Sequence, residues 1–238
     1  MTASTDQGVS ARAGPAGESA AAPTAASSLF VIWSNGRHAE DRILADLERR
    51  FEIVGLYEVD WSPDHMIWNF RRFYSDLPVR GVYHALAKGR GPFLAILLRD
   101  PWPEMTECET SRGPRVMNAH FLEAKTEYRR WAGELTIHCT ETPFETHRDL
   151  TMLLGVDAPM PDRFASAIPQ GRTERVERDA IGAGGWTSEA ELFEVLGRSV
   201  RYVLTGAPGA DPPGDLLNLP EVNLLTDDYL TLHAVLDA

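Results

Sequence analysis

The sequence is short of the features that most quickly narrow a function. It has only two cysteines, Cys108 and Cys139. They form neither a CxxC pair nor a metal-ligand cluster, which excludes a disulfide scaffold and a cysteine zinc site and points to a reducing compartment. Basic residues are also scarce: 23 Lys+Arg stand against 35 Asp+Glu, for a formal net charge of −12. That is the wrong sign for gripping a nucleic-acid backbone, although a local cluster of cations could still hold one phosphate. No apolar run approaches the roughly 20 residues that span a bilayer, and the first residues lack the apolar core of a signal peptide. The expectation is a cytoplasmic protein that binds neither nucleic acid nor membrane. Residues 1–28 are dominated by Ala, Ser, Thr, Gly and Pro. They bury too little to offset ordering entropy and read as a disordered tail.

What is present is an ordinary globular composition, 43% apolar over 238 residues, enough for a core. Apolar runs predict strands at 29–33, 53–61, 92–98 and 135–139, the third central by its continuous apolarity. Helical spacing predicts helices within 39–51, after Ser62-Pro63-Asp64, at 80–88 and from Val116 to Trp131. Another helix opens on the capping box Thr142-Pro143-Phe144-Glu145 and stops at Gly155. Residues 100–114 read as a loop. The alternation of strands and helices predicts one domain over 29–158, an α+β unit with a four-stranded antiparallel sheet and helices on one face. Residues 159–185 read as a linker or arm. Residues 186–238 read as a small α/β extension, with a second capping box at Ser188 and Glu191, a helix ended by Gly197, and strands at 200–204 and 222–225. Asp227 or Asp228 then caps a last helix.

One segment carries chemistry: Thr136-Ile137-His138-Cys139-Thr140-Glu141-Thr142. His138 lies at a strand end, directly before a capped helix. Such a histidine can offer one ring nitrogen to a substrate while a partner fixes the other. Asp149, inside the following helix, is the candidate partner. The plainer alternative is a histidine that only satisfies a strand-to-helix turn. Cys139 is no nucleophile for His138 to activate, because neighbours on a strand face opposite ways.

The same segment resembles the Ile-His-Gly-Ser-Asp-Ser stretch of nucleoside diphosphate kinases, whose next helix bears an acidic residue where Asp149 stands. Phe73-Tyr74-Ser75-Asp76-Leu77 followed by Arg80 is similar to that family's His-Tyr-x-Asp-Leu-x-x-Arg. Gly91-Pro92-Phe93-Leu94-Ala95-Ile96 is similar to its Gly-Pro-Val-Val-Ala-Met strand. The likeness runs colinearly over about 29–155. Where the family's first strand ends Ile-Lys-Pro-Asp, this chain reads Ile32-Trp33-Ser34-Asn35, without the lysine. The resemblance implies a ferredoxin-like fold, a nucleotide or phosphorylated small molecule carried with Mg²⁺, and a homo-oligomer. It further implies His138 as phosphoryl acceptor oriented by Asp149, with Tyr74, Arg80 and Lys125 or Arg129 on the phosphate side. No metal ligand is assigned to the chain itself. A fainter likeness to a nucleotidyltransferase opening lies in the last segment, where Glu221 and Asn223 stand in place of a metal-binding Asp-x-Asp pair. Three functions follow as expectations: a divergent phosphotransferase, a nucleotide-dependent group-transfer enzyme, or a non-catalytic nucleotide-binding or assembly domain of a biosynthetic pathway.

Overall fold

A computed structural model of the chain describes residues 25–74, 78–110, 113–155, 172–200, 202–205 and 223–226, together with Leu232 and Leu236. Two strands with no polar side chain at their centre form the middle of the main sheet. These are β1 (Ala26–Ile32) and β3 (Phe93–Asp100). Their side chains divide by alternation. Leu29, Val31, Phe93, Ala95 and Leu97 enter one core, whereas Phe30, Ile32, Leu94, Ile96 and Leu98 enter another.

Both cores are roofed by helices. On the Phe30 side, α1 (Glu40–Arg50) contributes Ile43 and Leu47, and α4 (Ala119–Ala132) contributes Phe121, Ala124 and Tyr128. On the Leu29 side, α2 (Met66–Tyr74) contributes Phe70 and Phe73, and α5 (Pro143–Leu154) contributes Leu150 and Leu153. The expected arrangement with helices on one face is thus corrected. The physical reason is β3 itself, since six consecutive buried residues need cover on both sides.

The sheet order is β6-β1-β3-β2-β7, with β2 (Glu52–Asp60), β6 (Ile137–Cys139) and β7 (Glu174–Glu177). The four expected strands pair antiparallel, and β7 adds to β2 in parallel. The chain is therefore α+β with a five-stranded mixed sheet. Among the described residues no helix is long and apolar enough to cross a membrane.

Other segments also differ from expectation. Order begins before Leu29: Ser28 is buried in β1 and its Oγ donates to Thr140 O at 3.1 Å. The expected loop at 100–114 largely forms a hairpin of β4 (Met105–Thr110) and β5 (Gly113–Asn118), so α4 starts at Ala119 rather than Val116. Part of the expected linker supplies β7 and sends Ala180 and Ile181 into the core. Helix α6 (Glu189–Ser199), capped by Ser188 as expected, runs through Gly197 and buries Val195 and Leu196 in the same core. Strands β8 (Tyr202–Thr205) and β9 (Asn223–Thr226) pair with each other. The expected tail at 1–24, Glu221 and the Asp227 or Asp228 cap lie outside the described residues.

Helix α3 (Pro78–Lys88) is tied to the end of β1. Asn35 Nδ2 donates to Leu86 O and Ala87 O at 3.2 and 3.1 Å, capping the last carbonyls of the helix. The chain then turns at Gly89 with φ +92°, where a Cβ would stand 2.6 Å from Asn35 Oδ1, so glycine is required on two counts.

Candidate functional site

Strand β6 is short, and both of its ends are fastened to β1. Trp33 N donates to Thr136 O at 2.9 Å, and Thr140 N donates to Leu29 O at 3.1 Å. His138 pairs with Val31 in this ladder. Its neighbours Ile137 and Cys139 enter the Phe30-side core, so the imidazole leaves the sheet on the opposite side, toward α2 and α5. There it meets the Phe73 ring at 5.1 Å and the Tyr74 ring at 5.7 Å, both nearly edge-on. The imidazole is therefore packed under helices, not on an uncovered sheet edge, and its side chain is 13% exposed.

Helix α5 begins as its sequence predicts. Thr142 accepts from Glu145 N at 3.1 Å, and Glu145 Oε2 accepts from Glu141 N at 2.7 Å. This geometry turns the chain back so that Asp149 comes beside β6. Asp149 is fully buried, and its Oδ2 lies 2.8 Å from His138 Nε2. The contact is direct, although Asp is one methylene shorter than the glutamate expected from the resemblance. Arg148 grips the other carboxylate oxygen: its Nε and Nη2 lie 2.8 and 2.6 Å from Asp149 Oδ1. Arg148 Nη2 is also 3.6 Å from Glu145 Oε1. Because an ionised carboxylate only accepts, His138 Nε2 carries the proton in this bond, so the lone pair of a neutral ring would lie on Nδ1.

Tyr74 stands next to the imidazole, as the sequence led one to expect. Its hydroxyl accepts from Trp33 Nε1 at 2.8 Å. Two residues that sequence reasoning missed complete this wall. His84 stacks on the Tyr74 ring at 4.5 Å, and buried Lys88 lies 3.0 Å from His84 Nδ1 and 4.7 Å from the Tyr74 ring centre. The i,i+4 spacing of His84 and Lys88 on α3 was the available signal, but nothing in the sequence shows that α3 docks against α2.

Lys125 and Arg129 are not brought to this wall. Both belong to α4, on the other face. Lys125 Nζ donates to Cys139 O and Glu141 Oε1, each at 3.3 Å, and Arg129 Nε donates to Ile137 O at 3.4 Å. They cap the outward carbonyls of edge strand β6, which is a structural task. Arg80 lies in α3, and its side chain is outside the described residues.

Cys139 is buried on the α4 side, 3.2 Å from Ser28 Oγ, and burial pushes its thiol up to about 12. It is an inert core residue, not a nucleophile. Ligand atoms of His138, Glu145 and Asp149 lie within 4.8 Å of one another. The Arg148 guanidinium faces both carboxylates and offsets one of their two negative charges. No family model matches the sequence, and no curated protein is significantly similar to it.

Proposed function

We propose that the chain is a divergent phosphotransferase, or a nucleotide-dependent group-transfer enzyme, that works through His138. The single observation that carries this reading is the 2.8 Å bond from His138 Nε2 to buried Asp149, which leaves the lone pair on Nδ1. The strand order β6-β1-β3-β2, antiparallel throughout, supports the ferredoxin-like fold that the sequence resemblance implies.

In the proposed reaction, Nδ1 attacks the terminal phosphorus of a nucleotide or a phosphorylated small molecule. The new P–N bond forms as the P–O bond to the leaving group breaks. Asp149 keeps the Nε2 proton and stabilises the positive charge that the ring then carries. An acceptor hydroxyl oxygen later attacks the phosphorus, its P–O bond forming as the P–N bond breaks; its proton passes to solvent, and the electron pair returned to Nδ1 restores the neutral imidazole. Phosphoryl transfer rests mainly on positioning and charge neutralisation; in this reading Tyr74, beside the imidazole, and Lys88, against the Tyr74 ring, supply them. Mg²⁺ enters as part of the Mg–nucleotide substrate, because the carboxylates beside the ring face Arg148 and are not available as its ligands.

Incubation with γ-labelled ATP and Mg²⁺ tests the reading. An acid-labile, base-stable label is expected on the wild type and absent from His138→Ala and His138→Asn. If the wild type takes no label, and His138→Ala keeps any activity found, the histidine is structural. The second reading, a non-catalytic nucleotide-binding or assembly domain, is favoured by one observation: Lys125 and Arg129 are engaged at β6. A thermal shift with ATP, GTP, CDP or a sugar nucleotide but no label would select it, and no shift with any of them removes the nucleotide. The homo-oligomer implied by the resemblance is a separate proposal, and light scattering showing a strict monomer at high concentration would retire it.

A further inference from the structure

We infer that Arg148 is the positioning residue of the site. By neutralising Asp149, it frees His138 to remain uncharged and nucleophilic. The inference rests on the proposed role of His138, but its test does not require that role to be right.

The reasoning starts from the burial of Asp149. A carboxylate with no solvent contact needs a compensating charge. Two groups can supply it, the Arg148 guanidinium on Oδ1 and a doubly protonated His138 on Oδ2. With Arg148 in place, the carboxylate needs only a hydrogen bond from Nε2, and Nδ1 can shed its proton. Without Arg148, the imidazolium becomes the counter-charge. Nδ1 then holds a proton, and the lone pair needed for attack is gone. Arg148 is held at this task by its own surroundings. It is buried and faces Glu145, which in turn accepts from the backbone N–H of Glu141, three residues after His138. The network thus closes on the β6–α5 turn and fixes both ends of the dyad. Other charged or titratable groups near the ring are Glu145 on α5, with a carboxylate oxygen within 4.8 Å of a ring nitrogen, Tyr74 on α2 and, behind it, His84 and Lys88 on α3.

The test is an NMR titration of the His138 ring in the full chain. In Arg148→Met the midpoint should move up by about one pH unit or more, the usual size for removing a neighbouring charge. At a pH near the wild-type midpoint or below, the neutral fraction then falls up to about tenfold, and any His138 labelling by ATP falls with it. Arg148→Lys, which keeps the charge without the fork, should recover most of the shift. An unchanged midpoint in Arg148→Met overturns the inference. A shifted midpoint with no label on any variant upholds it and sinks only the phosphotransfer reading. If Arg148→Met does not fold, the pair Asp149→Asn and Arg148→Met/Asp149→Asn decides. Arg148 acts through Asp149, so the two should titrate together, and a further shift in the double variant overturns the inference.

Discussion

Among the described residues, three histidines touch an aspartate at the same 2.8 Å: His138 with Asp149, His120 with Asp100, and His65 with Asp179. Only their settings differ. Asp100 also accepts from Asn118 Nδ2 and Trp102 N, each at 2.9 Å, which ties the end of β3 to the start of α4. Asp179 also accepts from Ser62 N, Ser62 Oγ and Asn69 Nδ2, which ties the segment after β7 to α2. In these two pairs the imidazole side chains are 39% and 45% exposed. Neutral donors from loops and helix ends surround the carboxylates. Both pairs are clasps. The His138 pair is buried, has an arginine on the second oxygen, and closes no loop that the β6–β1 ladder does not already hold. A His–Asp contact is therefore not evidence of chemistry by itself, and what surrounds the carboxylate decides.

The largest expected effect comes from breaking the buried pair. Asp149→Asn removes the carboxylate that Arg148 holds through both Nε and Nη2, leaving the longer contact with Glu145, and should cost about 3–5 kcal/mol in urea unfolding. It should also lower His138 labelling by at least roughly 100-fold, since the acceptor that fixes the ring is weakened. Asp100→Asn should cost only about 1–2 kcal/mol, the scale of hydrogen bonds between neutral groups, since its imidazole partner is 39% exposed and its other donors are uncharged, and should leave labelling within about twofold. If both substitutions cost the same and neither touches labelling, the distinction drawn here collapses.

Acid titration separates the pairs more finely. Burial would raise the Asp100 carboxyl, but the bonds from Asn118, His120 and Trp102 outweigh it and hold the group below its ordinary 3.8. Asp179 behaves alike, with bonds from Asn69, His65 and Ser62 outweighing burial. A carboxyl depressed in the folded state contributes stability that is fully present above 3.8 and lost as pH falls through its folded value. Unfolding free energy should therefore drop below about pH 4. Asp179→Asn and Asp100→Asn should each flatten that limb while lowering the plateau at neutral pH. An acid limb identical in both variants and the wild type would show that the clasps are not the acid-sensitive groups.

The parts of the site that were legible in the sequence are those fixed by local rules. The α5 capping box, Pro143 and the Gly155 stop place Asp149 beside β6 from short-range signals alone. The continuous apolar run of β3 also carried the information that both faces are covered, although alternation alone did not reveal it. Other features depend on long-range docking. The strand at 105–110 reads Met-Thr-Glu-Cys-Glu-Thr and buries none of residues 105–109, and so it resembles a loop. Arg148 and Asp149 are neighbours on a helix, where adjacent side chains normally diverge. The buried Asp149 carboxylate draws the guanidinium back. His84 and Lys88 reach Tyr74 because Asn35 clamps the end of α3, a contact 51 residues apart in sequence.

The smallest expected effect concerns the two cations that sequence reasoning placed at the phosphate. Lys125 and Arg129 meet the Cys139 and Ile137 carbonyls, which point away from β1 on the free side of an edge strand. Water can replace them there, and the contacts are long, at 3.3 and 3.4 Å. Lys125→Met and Arg129→Met should each cost about 0.5–1 kcal/mol, the scale of a weak charge-to-carbonyl bond at a partly exposed site. His138 labelling should stay within about twofold of wild type, since neither group lies on the side of the sheet from which the imidazole emerges. Measured together with Arg148→Met, the pair gives a contrast within one protein: one buried arginine that governs the ring, and two cations of α4 that only cap β6. A drop in labelling of tenfold or more in Lys125→Met or Arg129→Met, with unfolding unchanged, would return these side chains to the reacting phosphate. The proposed site would then have to extend around the edge of β6.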